Sequence, residues 1–155
     1  MSYAFRIDEH HGCIFVKWQG LVTLADSEMF LRDVEASPYF RSGLHRLHDY
    51  RSADYTFTAA DIWVALQETT MAGERHGFRK VAMLVPTDLA YGVSRMYQML
   101  SNDASQDICS FRNLDDAMAW LDLPADIADP FSEIAYSSSR NNHANIAVAA
   151  MAAAS

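Results

Sequence analysis

The chain has 155 residues, of which 50% are hydrophobic and 21% are charged, a composition typical of a folded globular protein. This length suits one domain with its own hydrophobic core, so neither metal ions nor disulfides are needed for stability. Twelve basic and 20 acidic residues give a net charge of −8, which argues against nucleic acid and anionic membranes as partners. Proteins and small molecules remain as partner classes.

Cysteine usage and hydropathy favour a cytoplasmic location. Cys13 and Cys109 lie far apart in apolar surroundings, which is typical of free, buried thiols in a reducing compartment. The first residues lack the basic and apolar stretches of a secretory signal. The longest apolar run, residues 146–154, has 9 residues, against ~20 in a membrane-spanning helix.

In chain order, the first predicted element is a β-hairpin. Its strands cover residues 3–7 and 13–18, and the polar turn between them ends in Gly12. Gly20 is expected to break the second strand. A helix then follows from Thr23 to about residue 36, because Thr23 and Asp26 resemble a capping box and Pro38 prevents continuation.

Strands and helices alternate in the rest of the chain. Strands are predicted over residues 44–50, 80–85 and 108–111, and helices over residues 58–71, 89–101 and 114–121. Gly73 is expected to end the second helix. The order β-β-α-β-α-β-α-β-α predicts an α/β fold in which a β-hairpin is followed by right-handed βαβ crossovers. Helices would flank a mixed sheet of four to five strands.

The composition changes after residue 121. We therefore expect one domain over residues 1–121 and a C-terminal extension over residues 122–155. Pro124 and Pro130 punctuate the extension, and residues 144–154 are rich in alanine. We expect this extension to pack either on its own domain or on a neighbouring subunit.

Six segments carry a family resemblance: residues 5–8, 18–20, 47–51, 81–86, 91–97 and 111–121. Together they resemble the bacterial SpoIIAA-like family, a branch of the STAS-like fold, over about residues 3–121. The resemblance implies a four- or five-stranded sheet with flanking helices. It also implies a non-enzymatic role in protein–protein signalling.

The same resemblance singles out Thr58. STAS anti-sigma antagonists have a strand ending in Asp, a loop, and a phosphorylatable Ser at a helix N-terminus. Thr58 lies nine residues after Asp49 and occupies the place of that serine, so the resemblance implies a regulatory phosphorylation site there. Phe57 stands where the antagonists have Asp. The alternative is that Thr58 is an ordinary N-cap.

The predicted strand at residues 44–50 is unusually polar for a parallel strand. Period-two alternation places Arg46 and His48 on one face and His45 and Asp49 on the other, so the two histidines cannot bind one metal ion. Either the strand lies near an edge or a cleft, or its polar residues form a network. Asp49 and Arg51 are candidates for a partner or ligand site, because open α/β sheets bind ligands at the C-terminal ends of strands.

The third helix supplies the other candidate partner residues, Tyr91, Gly92 and Arg95. A glycine inside a helix costs ~1 kcal/mol relative to alanine. Close approach of another backbone, a subunit or a ligand would justify it. Helix packing within the domain and a dimer or partner surface both remain possible.

No motif for nucleotide binding, serine hydrolysis or zinc binding is found: Walker A, GxGxxG after a strand, GxSxG and HExxH are missing from the sequence. We therefore expect no cofactor, no metal ion and no catalytic residue. The expected function is a non-catalytic STAS-like signalling or protein-interaction module, acting through a protein partner or as a homodimer. A carrier of a small apolar ligand or lipid is the alternative, and an enzyme using His48, Asp49 or Tyr91 is the third hypothesis.

Overall fold

The computed structural model describes residues 2–55, 58–77, 80–100 and 107–134. Nine elements follow one another in the predicted order: β1 (Tyr3–Asp8), β2 (Cys13–Val22), α1 (Leu24–Ala36), β3 (His45–Tyr55), α2 (Ala59–His76), β4 (Lys80–Leu84), α3 (Asp88–Leu100), β5 (Asp107–Phe111) and α4 (Leu114–Trp120).

The five strands form one mixed sheet in the order β1-β2-β3-β4-β5. The hairpin β1–β2 is antiparallel, and every later pairing is parallel. Each parallel connection steps in the same direction across the sheet, so right-handed crossovers place α1, α2 and α3 on one face. Consistently, α1 contacts α2, α2 contacts α3, and α4 packs against β4 and β5. The predicted α/β fold is confirmed.

Two hydrophobic cores lie on opposite faces of this sheet. Alternation along β2 places Ile14, Val16 and Trp18 in the first core, under α1 and α2, and Cys13 and Phe15 in the second core, under α4. Because β2 is covered on both faces, most of its residues are apolar, whereas β3 between β2 and β4 carries several polar residues. Those polar residues belong to the candidate site.

Three predicted element ends are wrong: β3 runs to Tyr55 instead of ending at residue 50, and the other two involve glycine. β2 does not break at Gly20 but continues to Val22, with Gly20 at φ 61° just after a register shift between Lys17 and Gln19. Gly20 is itself paired with Ala53 of β3, so the left-handed residue is accommodated within the ladder without ending the strand. Likewise α2 runs through Gly73 and ends at Gly77, whose left-handed conformation (φ 62°) lets its N–H bond to the Gly73 carbonyl.

The helix starts are confirmed, because their signals are local. Thr23 and Asp26 form a reciprocal capping box at α1, with the Thr23 amide 2.8 Å from Asp26 Oδ2. Partial burial disfavours the charge on Asp26, yet the hydrogen bonds from Thr23 hold its pKa below the ordinary value. The cap therefore makes its full contribution to the free energy of unfolding above the unfolded-state pKa of Asp. This contribution is lost as the pH falls through the lower folded-state pKa.

We expect Thr23→Ala to lower the free energy of unfolding by about 1 kcal/mol, because the Asp26 amide loses its acceptor and the carboxylate loses a donor. Urea denaturation at neutral pH measures this loss. Thr23→Ser is the matched control, since it keeps the hydroxyl and should retain most of the stability. Equal losses in both variants would contradict a capping role.

After α4 the chain folds back across the second core. We call residues 121–134 the strap. Its apolar residues Leu121, Leu123, Phe131 and Ile134 are buried in the second core, on the same face as α4. The strap thus lies against the chain's own sheet. The rest of the predicted extension, residues 135–155 with its Ala-rich segment, lies outside the described residues.

Candidate functional site

The predicted partner residues do not form one site. Asp49 and Arg51 follow Leu47 at period two along β3, so they lie on the face of the second core, beside the strap. Tyr91, Gly92 and Arg95 lie on α3, on the opposite face of the sheet. The structure therefore separates the predicted residues into two groups that have to be judged independently.

Asp49 and Arg51 are engaged with each other. Arg51 donates to both carboxylate oxygens of Asp49, from Nε at 2.9 Å and Nη2 at 2.8 Å, and its backbone amide also donates to Oδ1 at 3.0 Å. The hydrogen bond to Asp49 raises the pKa of Arg51, with Asp129 of the strap adding to the effect. The Arg51 guanidinium also lies over the Phe131 ring, 6.0 Å from its centre. Because β3 continues to Tyr55, the pair lies within the strand and not at its C-terminal end, and it anchors the strap to the middle of β3.

The polar residues of β3 form a buried network, and the edge alternative is wrong because β3 is the central strand. Trp18 Nε1 donates to His48 Nδ1 at 3.1 Å, and the rings of Trp18, His48 and Tyr50 lie within 10° of parallel with their centres 5.6–6.1 Å apart. His45 Nδ1 accepts from the Lys80 amide at 3.2 Å. These contacts tie β3 to both of its neighbours.

His48 is neutral in this network. Its burial lowers its pKa well below the ordinary value, and the nearby charge of Arg46 adds to the effect. Since indole Nε1 can only donate, His48 Nδ1 is the acceptor and the ring proton lies on Nε2. His48 and Asp49 face opposite sides of the sheet, so they cannot act as a pair on one substrate.

Thr58 is the N-cap of α2. Its hydroxyl accepts from the Asp61 amide at 3.2 Å, and its own amide donates to Asp61 Oδ2 at 2.8 Å. The carboxylate of Asp61 also lies 2.8 Å from Thr58 Oγ1, so a phosphate on Thr58 would displace it by charge repulsion. Thr58 is exposed, and its phosphorylation stays a prediction. Phe57 lies outside the described residues.

Within the described ranges, no group of three or more His, Cys, Asp or Glu residues is placed to hold a metal ion. Both thiols are free. Burial raises the pKa of Cys13 on β2 and also that of Cys109 on β5, so both favour the protonated, weakly nucleophilic form.

An exposed apolar surface on α2 and α3 is the feature that sequence patterns identified least well. Its members, which we call the outer surface, are Trp63, Val64 and Met71 on α2 and Met96 and Met99 on α3. Trp63 is 53% exposed, Met71 62% and Met99 66%. On each helix these positions fall within about 100° of arc, so each set forms one continuous stripe.

The stripe on α3 includes more than the two methionines. Asp88, Gly92 and Arg95 are exposed on the same side of the helix, between and beside Met96 and Met99. A Cβ built on Gly92 would meet nothing within 4 Å. Two of the three predicted partner residues of α3 thus lie within the stripe, whereas Tyr91 is half-buried beside it.

One comparison decides the fold. A solved structure from Shewanella loihica PV-4, described as an uncharacterized protein from the DUF3478 family with a SpoIIAA-like fold, is 21% identical to this chain. The match covers 77% of this chain and 94% of that one, with a TM-score of 0.54. The fold is SpoIIAA-like. No family model matches the sequence, and no curated protein matches it.

In this SpoIIAA-like fold the crossover helices that carry the outer surface are not candidates for membrane spans. None of the helices in the described residues combines the length and the apolar content needed to cross a bilayer. The outer surface is thus a feature of amphipathic helices that already bury one side on the sheet.

Proposed function

We propose that this SpoIIAA-like chain is a non-catalytic interaction module that works by binding another protein through its outer surface. The observation that carries this proposal is the exposure of large apolar side chains on two neighbouring helices, while both cores are filled by other residues. Large exposed apolar side chains grouped on adjacent helices mark contact sites for macromolecules more often than isolated exposed residues do.

The residue types support a protein partner. Tryptophan and methionine are enriched at protein interfaces relative to the rest of the surface, and flexible methionines adapt to a partner's shape. Trp63 lies on the exposed side of α2, with Val64 and Met71 on the same stripe. A large aromatic anchor surrounded by smaller apolar residues is the usual arrangement of an interface hot spot.

The chemistry of the polar residues supports a non-catalytic role. Asp49 is buried and has both oxygens bonded to Arg51, and His48 is buried on the opposite face, where it accepts from the Trp18 indole. The thiols of Cys13 and Cys109 favour their protonated form. None of these groups combines exposure with the ionisation state that a nucleophile or general base needs.

We expect Trp63→Asp to reduce capture of the partner by about tenfold or more, because it places a charge at the centre of the apolar contact. The tagged full-length chain and its variants are used as baits in lysate from the source cells, and bound proteins are quantified by mass spectrometry.

Leu21→Asp is the matched control for this experiment. Leu21 is a 58% exposed apolar residue near the end of β2, outside the outer surface, so the same substitution there should leave capture unchanged. Thermal unfolding confirms that both variants are folded. Equal capture by the wild type and Trp63→Asp would contradict the proposed function.

A further inference from the structure

We propose that the occupant of the α3 stripe is a second copy of this chain, with the two α3 helices crossing antiparallel at Gly92 about a two-fold axis. This inference rests on the proposed function and names the partner for one part of the outer surface. Three properties of the stripe carry it: an open glycine, a self-complementary charge arrangement and exposed methionines.

Among the residues that the structure describes, nothing packs against Gly92. It lies in the interior of α3, where it costs ~1 kcal/mol relative to alanine. Its φ is not in the left-handed region, and a Cβ there would meet nothing within 4 Å, so neither backbone strain nor crowding requires a glycine. Close approach of an outside helix does require one, because a small residue at the crossing point brings the two axes together.

The charges of the stripe complement themselves under this symmetry. In an antiparallel crossing centred on Gly92, a residue that follows it by three or four positions opposes a residue that precedes it by about the same number. Arg95 therefore meets Asp88 of the partner subunit, and the symmetry repeats this ion pair on the other side of the axis.

Both charged groups are able to make this contact. Arg95 is exposed and donates to Gln98 Oε1 at 3.2 Å. The Asp88 side chain is 98% exposed although it accepts from Arg112, and a carboxylate has several further acceptor positions.

The methionines provide the apolar area. Met96 is 42% exposed and Met99 is 66% exposed, and both lie on the C-terminal side of the proposed crossing point. A helix of 13 residues is only about 20 Å long, so the stripe alone is smaller than the ~800 Å² per partner of a standard interface. We therefore expect a dimer with a dissociation constant in the micromolar range. Contacts from the α2 stripe strengthen this dimer where that stripe reaches the partner.

The test is the oligomeric state of the full chain, measured by sedimentation velocity between about 1 μM and 1 mM. We expect a reversible monomer–dimer equilibrium. Met99→Asp and each charge reversal, Arg95→Asp and Asp88→Arg, should each raise the dissociation constant about tenfold or more, since each places unpaired or like charges in the contact. Leu21→Asp should leave it unchanged.

Mixing the two charge-reversed variants gives the decisive result. A chain with Asp88→Arg and a chain with Arg95→Asp restore both ion pairs across the two-fold axis, so the mixture should form a heterodimer although each variant alone is weakened. Circular dichroism shows that each variant is folded.

If the wild-type chain stays monomeric at 1 mM, the inference is wrong. This holds whether another protein or residues 135–155 of the same chain cover the stripe instead. The inference is also wrong if none of the three α3 substitutions raises the dissociation constant of the dimer, or if mixing the two charge-reversed variants does not give a heterodimer. The proposed function fails separately, through undiminished capture by Trp63→Asp.

Discussion

Replacing Phe131 with alanine is expected to lower the free energy of unfolding by about 3–4 kcal/mol and to loosen the strap. The ring is almost fully buried, and it packs edge-on against Phe15 with 6.0 Å between ring centres. Arg51 covers it from the middle of β3, and Arg6 Nη2 donates to the neighbouring Pro130 carbonyl at 3.4 Å. Truncation leaves a cavity between the strap and the sheet that these polar contacts do not fill.

Equilibrium urea denaturation measures the loss, and limited proteolysis reports whether the strap becomes accessible. Ile127→Val is the matched control, because Ile127 belongs to the same segment, is only partly buried against the second core, and loses a single methylene. Its expected cost is about 1 kcal/mol or less. A loss below about 1 kcal/mol in Phe131→Ala would contradict a strap that is anchored to the sheet.

Lowering the pH from 7 to 5 is expected to destabilise the protein through His48. Burial, reinforced by Arg46, keeps the pKa of His48 well below its ordinary value, so the folded state stays neutral while the unfolded chain binds a proton below about pH 6.5. The unfolded state then binds more protons, and stability rises with pH. The contribution of His48 is complete above pH 6.5 and is lost, by up to about 1.4 kcal/mol per pH unit, as the pH falls.

The change His48→Asn isolates this effect. Asparagine keeps an acceptor near the position of Nδ1 for the Trp18 indole but does not titrate. Stability measured by urea denaturation at pH 5, 6 and 7 should show a smaller slope in His48→Asn than in the wild type. His10→Asn, in the exposed hairpin turn, is the matched control for the substitution itself. Equal slopes in the wild type and His48→Asn would show that the imidazole is not held neutral.

Local signals in the sequence were sufficient for the element order. A Thr followed by Asp three residues later begins both α1 and α2, and Pro38 follows the end of α1, so these ends depend only on neighbouring residues. The predicted ends of β2 at Gly20 and of α2 at Gly73 were wrong, because glycine occurs both at the ends of helices and strands and within them. The sheet register at Gly20 and the packing of α2 decide between the two, and neither can be inferred from a short window.

The candidate site was harder to predict, because its geometry depends on residues far apart in the chain. The sequence left two alternatives for β3, a strand near an edge or a cleft and a network of polar residues. The network depends on contacts with Trp18 from β2 and Phe131 from the strap, which the sequence of β3 does not contain. On α2 and α3, apolar residues occupy more than one side of each helix. Which side meets the sheet is set by the crossovers, so the exposure of Trp63 and Met71 appears only in the fold.

The most direct test of a protein-binding outer surface is site-specific photo-crosslinking in cells that make the protein. A photoreactive amino acid replaces Met71 or Met96 on the outer surface, and Leu21 as the control position outside it. We expect covalent protein adducts from Met71 and Met96 and none from Leu21. Absence of adducts from both helix positions, or equal adducts from Leu21, would contradict the account.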